Sequence, residues 1–186
     1  MLLFRTPIGS RLYGLAHANS DNDTLEVYSN TIPSPLKKIR QTIDGKDDVI
    51  RMNLSTFMMY ADRSSHQILE AMYSDIADVD MFKDFRMNYH INIGTFVPLY
   101  QRTIRNFWTK GDRKSKLHAC RMHFCLLEGM DKGYFSPVLE EKQRAFLLNS
   151  ETEEFDKLVE PYFDGYVFID GKWVSEHSPL LFESQR

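Results

Sequence analysis

Residues 9–23 read "GSRLYGLAHANSDND". The run opens on a Gly-Ser pair, passes through a short polar loop and closes on two aspartates one residue apart. Before it stands "LLFRTPI", residues 2–8, apolar or extended in preference. After it "TLEVY", residues 24–28, alternates apolar and polar side chains as a half-buried strand does. The stretch therefore joins two predicted strands and carries the densest functional chemistry in the chain. On a strand, Asp21 and Asp23 project from one face, about 7 Å apart along the backbone. Two carboxylates so placed repel unless a cation sits between them, and hard oxygen donors of this kind favour Mg2+. Gly9 lets the backbone approach a phosphate closely, Ser10 adds a hydroxyl, and "SRLYG" can turn into a short helix whose N–H groups face the anion.

Working outward, "TIPSPLK" (31–37) is a loop, because two prolines exclude a central strand. "KKIRQTI" (37–43) and "DDVIRMNL" (47–54) flank "DGK", a turn signal, and predict a hairpin. From residue 54 the period becomes helical, with Phe57, Met58, Ala61, Ile68, Leu69 and Met72 recurring on two short helices. Further helices are predicted over 97–110 and 112–133, broken at Gly111 and Asp112, with Gly129 or Gly133 as the exit. "SPVLEEKQRAFLLN" (136–149) opens on Ser-Pro, a good helix start, and "ETEEFDKLVEPYF" (151–163) is a short acidic helix. "YVFIDGKWVS" (166–175) reads as a small hairpin. The fold class is α+β. A short mixed sheet in the first third, residues 1–60, is followed by a helical region over 61–186 that completes one compact unit.

Bulk composition narrows the function classes. With 42% hydrophobic and 26% charged residues and a net charge of −3, the chain has no global attraction to nucleic acid, so any polyanion site must be a local basic patch. Cys120 and Cys125 lie in one apolar segment and read as reduced core thiols. No apolar run approaches the roughly 20 residues of a membrane span, and the N-terminus lacks a signal-peptide pattern. The expectation is a soluble, cytoplasmic protein.

In its order and spacing, Gly-Ser, a helix-forming stretch and Ser-Asp-x-Asp resemble the signature of nucleotidyltransferases of the DNA polymerase β superfamily. "GSRLYGLA…SDND" is similar in particular to the small predicted nucleotidyltransferases of bacteria and phages. "DVIRMNLSTF" (48–57), "HQILEAMYS" (66–74) and "KSKLHACRMHFCLLEGMDKG" (114–133) match that family's later elements more loosely. The resemblance covers roughly residues 7–150. It implies a nucleotidyltransferase-type sheet and Mg2+- or Mn2+-dependent transfer of a nucleoside monophosphate from an NTP to a hydroxyl, with release of pyrophosphate. It implies that Gly9 and Ser10, with Arg11 beside them, hold the phosphates. Asp21 and Asp23 would bind metal, and Asp48 would be the third carboxylate, all three within a single ion's reach. Alternation along the strand puts Asp48 with Ile50 and Met52, and Asp47 with Val49 and Arg51; a slip of one residue would make Asp47 the third acid. Asn22 and Thr24 stand where the family more often has aliphatic residues. The acceptor stays open between an RNA end, a protein hydroxyl and a small molecule.

A local basic excess runs from Arg102 to Arg121, with Asp112 its one acid. On a helix over 113–128, Leu117, Cys120, Phe124 and Leu127 form the predicted core stripe. Lys114, His118 and Arg121 form a neighbouring row able to bind triphosphate oxygens or an RNA phosphate, beside the bland alternative of a solvated face. Zinc is not supported, since Cys120 and Cys125 point about 140° apart on a helix. Neither a Walker motif nor a dinucleotide-binding glycine fingerprint is present. Two other readings remain beside the enzyme: a catalytically inactive relative that binds a protein or RNA, and an RNA-binding module that uses the basic helices alone.

Overall fold

A computed structural model describes residues 1–29, 39–43, 47–169 and 172–175. Its centre is a five-stranded mixed sheet of order β3-β4-β2-β1-β5, made by β1 (Leu2–Pro7), β2 (Thr24–Tyr28), β3 (Ile39–Ile43), β4 (Asp47–Asn53) and β5 (Val79–Asp80). β1 is antiparallel to β2 and β5, β3 is antiparallel to β4, and β2 runs parallel to β4 with Leu25 opposite Ile50 and Val27 opposite Met52. The predicted β3–β4 pairing is present, while "TIPSPLK" and the DGK turn lie outside the described residues.

Period-2 alternation fixes the two faces of this sheet. Phe4, Leu25, Val27, Ile50 and Met52 are buried on the inner face. The outer face is held by charge: Arg51 donates to Glu26 at 2.8 Å, Tyr28 Oη donates to the same carboxylate at 2.8 Å, and Arg5 pairs with Asp78.

The inner face packs on helices. α1 (Ser10–Tyr13) follows β1; α2 (Leu54–Asp62) and α3 (His66–Met72) follow β4; α4 (Lys83–Met87) follows β5. Two longer helices, α5 (Ile93–Trp108) and α6 (Arg113–Lys132), then pack on each other, and α7 (Glu141–Asn149) and α8 (Thr152–Val159) close the bundle. Gly129 sets how closely α5 and α6 approach, because a Cβ there would stand 2.6 Å from Phe96. A small hairpin of β6 (Tyr166–Ile169) and β7 (Lys172–Ser175) ends the described chain, as predicted.

Two readings are corrected, and β5 is a strand with no sequence signal: it is only two residues long, and its pairing with Phe4 and Arg5 supplies it. The helix expected from Ser136 starts instead at Glu141, where Glu140 and Gln143 form a reciprocal capping box. The core stripe of α6 is rotated from the predicted one. Ala119, Met122, Leu126 and Gly129 are buried with Cys120, whereas Leu127 is exposed. The helix packs against both α5 and the α1–α3 side, so Arg121 and Cys125 also go inside.

Candidate active site

Gly9 turns the chain from β1 into α1 with φ 69° and ψ −146°, a conformation that strains an L side chain. Glycine also leaves room: a Cβ at this position would stand 3.4 Å from Asp23 Oδ2. The end of β1 is tied to the same aspartate, as Ile8 N–H donates to the Asp23 carbonyl at 2.9 Å. Gly14, left-handed at φ 74°, closes α1 after one turn. The loop beyond is braced from within. His17 N–H donates to Ser20 Oγ at 2.9 Å, and Arg11 donates through Nε to the Asp21 carbonyl at 3.2 Å and through Nη2 to the Ser20 carbonyl at 3.3 Å. Arg11 thus staples the loop that carries the acids, and it is not among the residues lining the cleft described below.

The two acids at the start of β4 do different things. Asp47 shares the outer face with Val49 and accepts from Asn22, at 2.8 Å from the backbone N–H and 3.2 Å from Nδ2. That bond accounts for Asn22 at the middle of the Asp-x-Asp: an amide there ties the entry of β2 to β4. Asp48 shares the inner face with Ile50 and Met52, and its backbone N–H donates to Asp23 Oδ1 at 3.0 Å. Asp48 is therefore the neighbour of Asp23, and Asp47 is engaged elsewhere. Among the described residues no three His, Cys, Asp or Glu side chains are gathered closely enough to hold a metal ion. Asp21 and Asp23 line one cleft and the Asp48 backbone meets Asp23, but the three carboxylates do not show the expected convergence.

A cleft of about 600 Å³ opens between this loop and the start of α6. Gly9, Ser10, Asp21 and Asp23 contribute its polar and acidic lining, while Arg113 and Lys114 contribute positive charge. The first turn of α6 is fixed by Asp112, which accepts from Ser115 N–H at 2.9 Å and from Ser115 Oγ at 2.7 Å. Arg113 also reaches α7, donating to the Ser150 carbonyl at 3.3 Å and the Leu148 carbonyl at 3.4 Å. Tyr13, Leu15, Leu117 and His118, with His17, Asn19 and Ser20 from the loop, complete the cleft.

The expected basic row does not act as one. Lys114 is exposed at the cleft, but His118 is half-buried, and burial together with the positive charges of Arg121 and Lys114 pushes its pKa down to about 4. The imidazole is neutral at pH 7. Arg121 is a correction. It is 1% exposed, paired at 2.8 Å with the equally buried Glu70, and its guanidinium lies 3.7 Å over the Tyr13 ring. Burial alone would lower its pKa, but the charge of Glu70 outweighs it and keeps it raised. Tyr13 Oη donates to the second oxygen of Glu70 at 2.6 Å, closing a buried triad that anchors α1 to α3 and α6. Other members of the basic excess are also engaged. Arg105 is buried and donates to the Tyr162 carbonyl at 2.9 Å, and Lys116 pairs with Asp156 at 3.3 Å over the Trp108 ring. The cysteines are buried free thiols, with burial pushing each up to about 12.

Sequence reading missed Arg113 as a lining residue and placed Leu117 in the core stripe. Tyr13 and Leu15 gave only the signal that they follow Gly-Ser by one turn.

A profile of the RNA repair pathway DNA polymerase β family matches residues 1–161, spanning the sheet, the cleft and most of the bundle. The chain belongs to that family. It is thereby of the nucleotidyltransferase type, and the match covers every residue of the candidate site. No curated protein matches the chain. Among the described residues, no helix is long and apolar enough to cross a membrane.

By the chemistry of its oxygens, though not by convergence of all three acids, the donor set suits a divalent ion. Asp21, Asp23 and Asp48 offer hard carboxylate oxygens, which suit Mg2+ or Mn2+. The bare Cα of Gly9 keeps space beside Asp23 Oδ2.

Proposed function

We propose that this chain transfers a nucleoside monophosphate from a nucleoside triphosphate to a hydroxyl at an RNA end, releasing pyrophosphate, with Mg2+ or Mn2+ as cofactor. The observation that carries the reading is one cleft in which the Gly9–Ser10 turn and the Asp21–Asp23 pair meet Arg113 and Lys114. Acids to hold a cation and cations to hold phosphate oxygens are the two requirements of phosphoryl transfer. RNA is favoured over a protein hydroxyl or small molecule by the family's association with RNA repair.

Asp21, Asp23 and Asp48 would hold the divalent ion, which when bound offsets charge on the triphosphate and acidifies the acceptor hydroxyl. The turn at Gly9 lets phosphate oxygens approach the backbone, and the Ser10 hydroxyl donates to one of them. The acceptor oxygen attacks the α-phosphorus, a new O–P bond forms, and the bond from that phosphorus to the bridging oxygen of the β-phosphate breaks. Asp48, beside Asp23, takes the proton of the acceptor hydroxyl. Pyrophosphate leaves with its charge compensated by Arg113 and Lys114.

Thermal unfolding tests this assignment. An NTP should raise the melting temperature with Mg2+ or Mn2+ present and not with EDTA, and Asp23→Asn should abolish the rise. A nucleotide-dependent rise that survives both EDTA and Asp23→Asn would overturn it.

A further inference from the structure

The cleft has a second lining that phosphate chemistry does not use. Tyr13 and Leu15 enter it from the α1 side, and Leu117 and His118 enter it from α6 one turn beyond Arg113 and Lys114. Two leucines offer a triphosphate nothing, and a volume of about 600 Å³ is large enough for a whole small-molecule ligand. The His118 ring is fixed on two sides. It stands edge-on to Tyr13 with ring centroids 6.2 Å apart and 78° between planes, and it lies 5.5 Å from Phe107 at 35°. Tyr13 is itself immobilised by Glu70 and Arg121. Held in this way, the imidazole lines the cleft beside Leu15 and Leu117.

We propose that Leu15, Leu117 and His118 form the subsite for the nucleobase of the NTP, with the leucines against its flat faces and the His118 edge against its hydrogen-bonding edge. This inference rests on the nucleotidyltransferase reading of the same cleft. A nucleobase combines apolar faces with a rim of donors and acceptors, which is the complement of this lining. Burial keeps His118 uncharged through the neutral range, so the ring offers one donor and one acceptor and adds no charge for a phosphate. Arg113 and Lys114, one turn earlier on the same helix, then fall to the phosphates, and α6 reads both ends of one nucleotide.

Calorimetric titration of the full chain in Mg2+ with each NTP and with inorganic tripolyphosphate separates the two halves of the cleft. Leu117→Asn and His118→Ala should weaken NTP binding roughly 10- to 100-fold, the range for losing part of a fitted pocket, and leave tripolyphosphate within about twofold. His118→Phe keeps the ring packed on Tyr13 and Phe107 but removes its polar edge. It should compress the differences among the NTPs while the protein stays folded by circular dichroism. Equal losses for NTP and tripolyphosphate, or NTP affinities unchanged in all three variants, would overturn the base subsite. If wild-type protein binds tripolyphosphate and NTPs equally, the base subsite fails and the phosphate site stands. If it binds neither, both readings fail.

Discussion

Arg121→Met should cost folding far more than it costs nucleotide binding. Arg121 and Glu70 are each 1% exposed and 2.8 Å apart, with Glu70 also accepting from Tyr13 Oη at 2.6 Å. Methionine fills much of the arginine's volume, so the cavity contribution is small. What remains is a carboxylate buried without its cation, and breaking one partner of such a pair costs about 3–5 kcal/mol. For a domain whose whole stability is about 5–15 kcal/mol, this is a large fraction. With a urea slope of about 2 kcal/mol/M, the unfolding midpoint should fall by about 1.5–2.5 M. Replacing all three polar partners together (Tyr13→Phe, Glu70→Leu and Arg121→Met) leaves no orphaned charge or hydroxyl and should recover most of the loss. Urea titration followed by circular dichroism and by tryptophan fluorescence measures each variant. A midpoint shift equivalent to less than about 1 kcal/mol, with nucleotide affinity reduced tenfold, would contradict the buried triad and return Arg121 to the cleft.

Gly129→Ala should destabilise even though alanine is the better helix former. The added Cβ would stand 2.6 Å from Phe96 and 3.2 Å from Ile91, and overpacking of about 1–3 kcal/mol exceeds the gain of about 1 kcal/mol in propensity; a raised melting temperature would contradict the close α5–α6 contact. Stability should also fall with pH through His118. Its folded pKa of about 4 lies below the ordinary 6.5, so this contribution is complete above pH 6.5 and is lost as pH drops towards 4, by at most roughly 3 kcal/mol. His123 is depressed by burial as well, so the comparison is the wild-type pH profile against that of His118→Phe, which should be flatter over this window. Identical profiles would show that His118 is not protected from protonation.

The sheet was legible because alternation survives in short stretches: Leu25 and Val27, and Ile50 and Met52, declare their face without any knowledge of their partners. The same alternation separates Asp48 from Asp47. The clustering of Gly9, Ser10, Asp21 and Asp23 was legible because they lie in one loop whose ends are drawn together by two adjacent strands. The basic row was not. An arginine on α6 is buried only because Glu70 on α3 and Tyr13 on α1 meet it in space, and each sits in a segment that reads locally as an ordinary amphipathic turn. The rotated stripe of α6 has the same origin, since Leu127 would serve as core on a helix packed from one side. Arg113 escaped notice because its distinction is position, at the first turn beside the cleft, rather than residue type.

Transfer of the α-phosphoryl group is tested most directly by following where that group goes. The protein is incubated with an RNA oligonucleotide, Mg2+, and each NTP labelled at either the α- or the γ-phosphate. The α-label should become bound to the RNA, pyrophosphate should appear in equal amount and carry the γ-label, and Asp21→Asn and Asp23→Asn should do neither. γ-Label on the RNA, or α-transfer undiminished in both variants, would contradict the proposed function, as would the absence of α-transfer with every NTP.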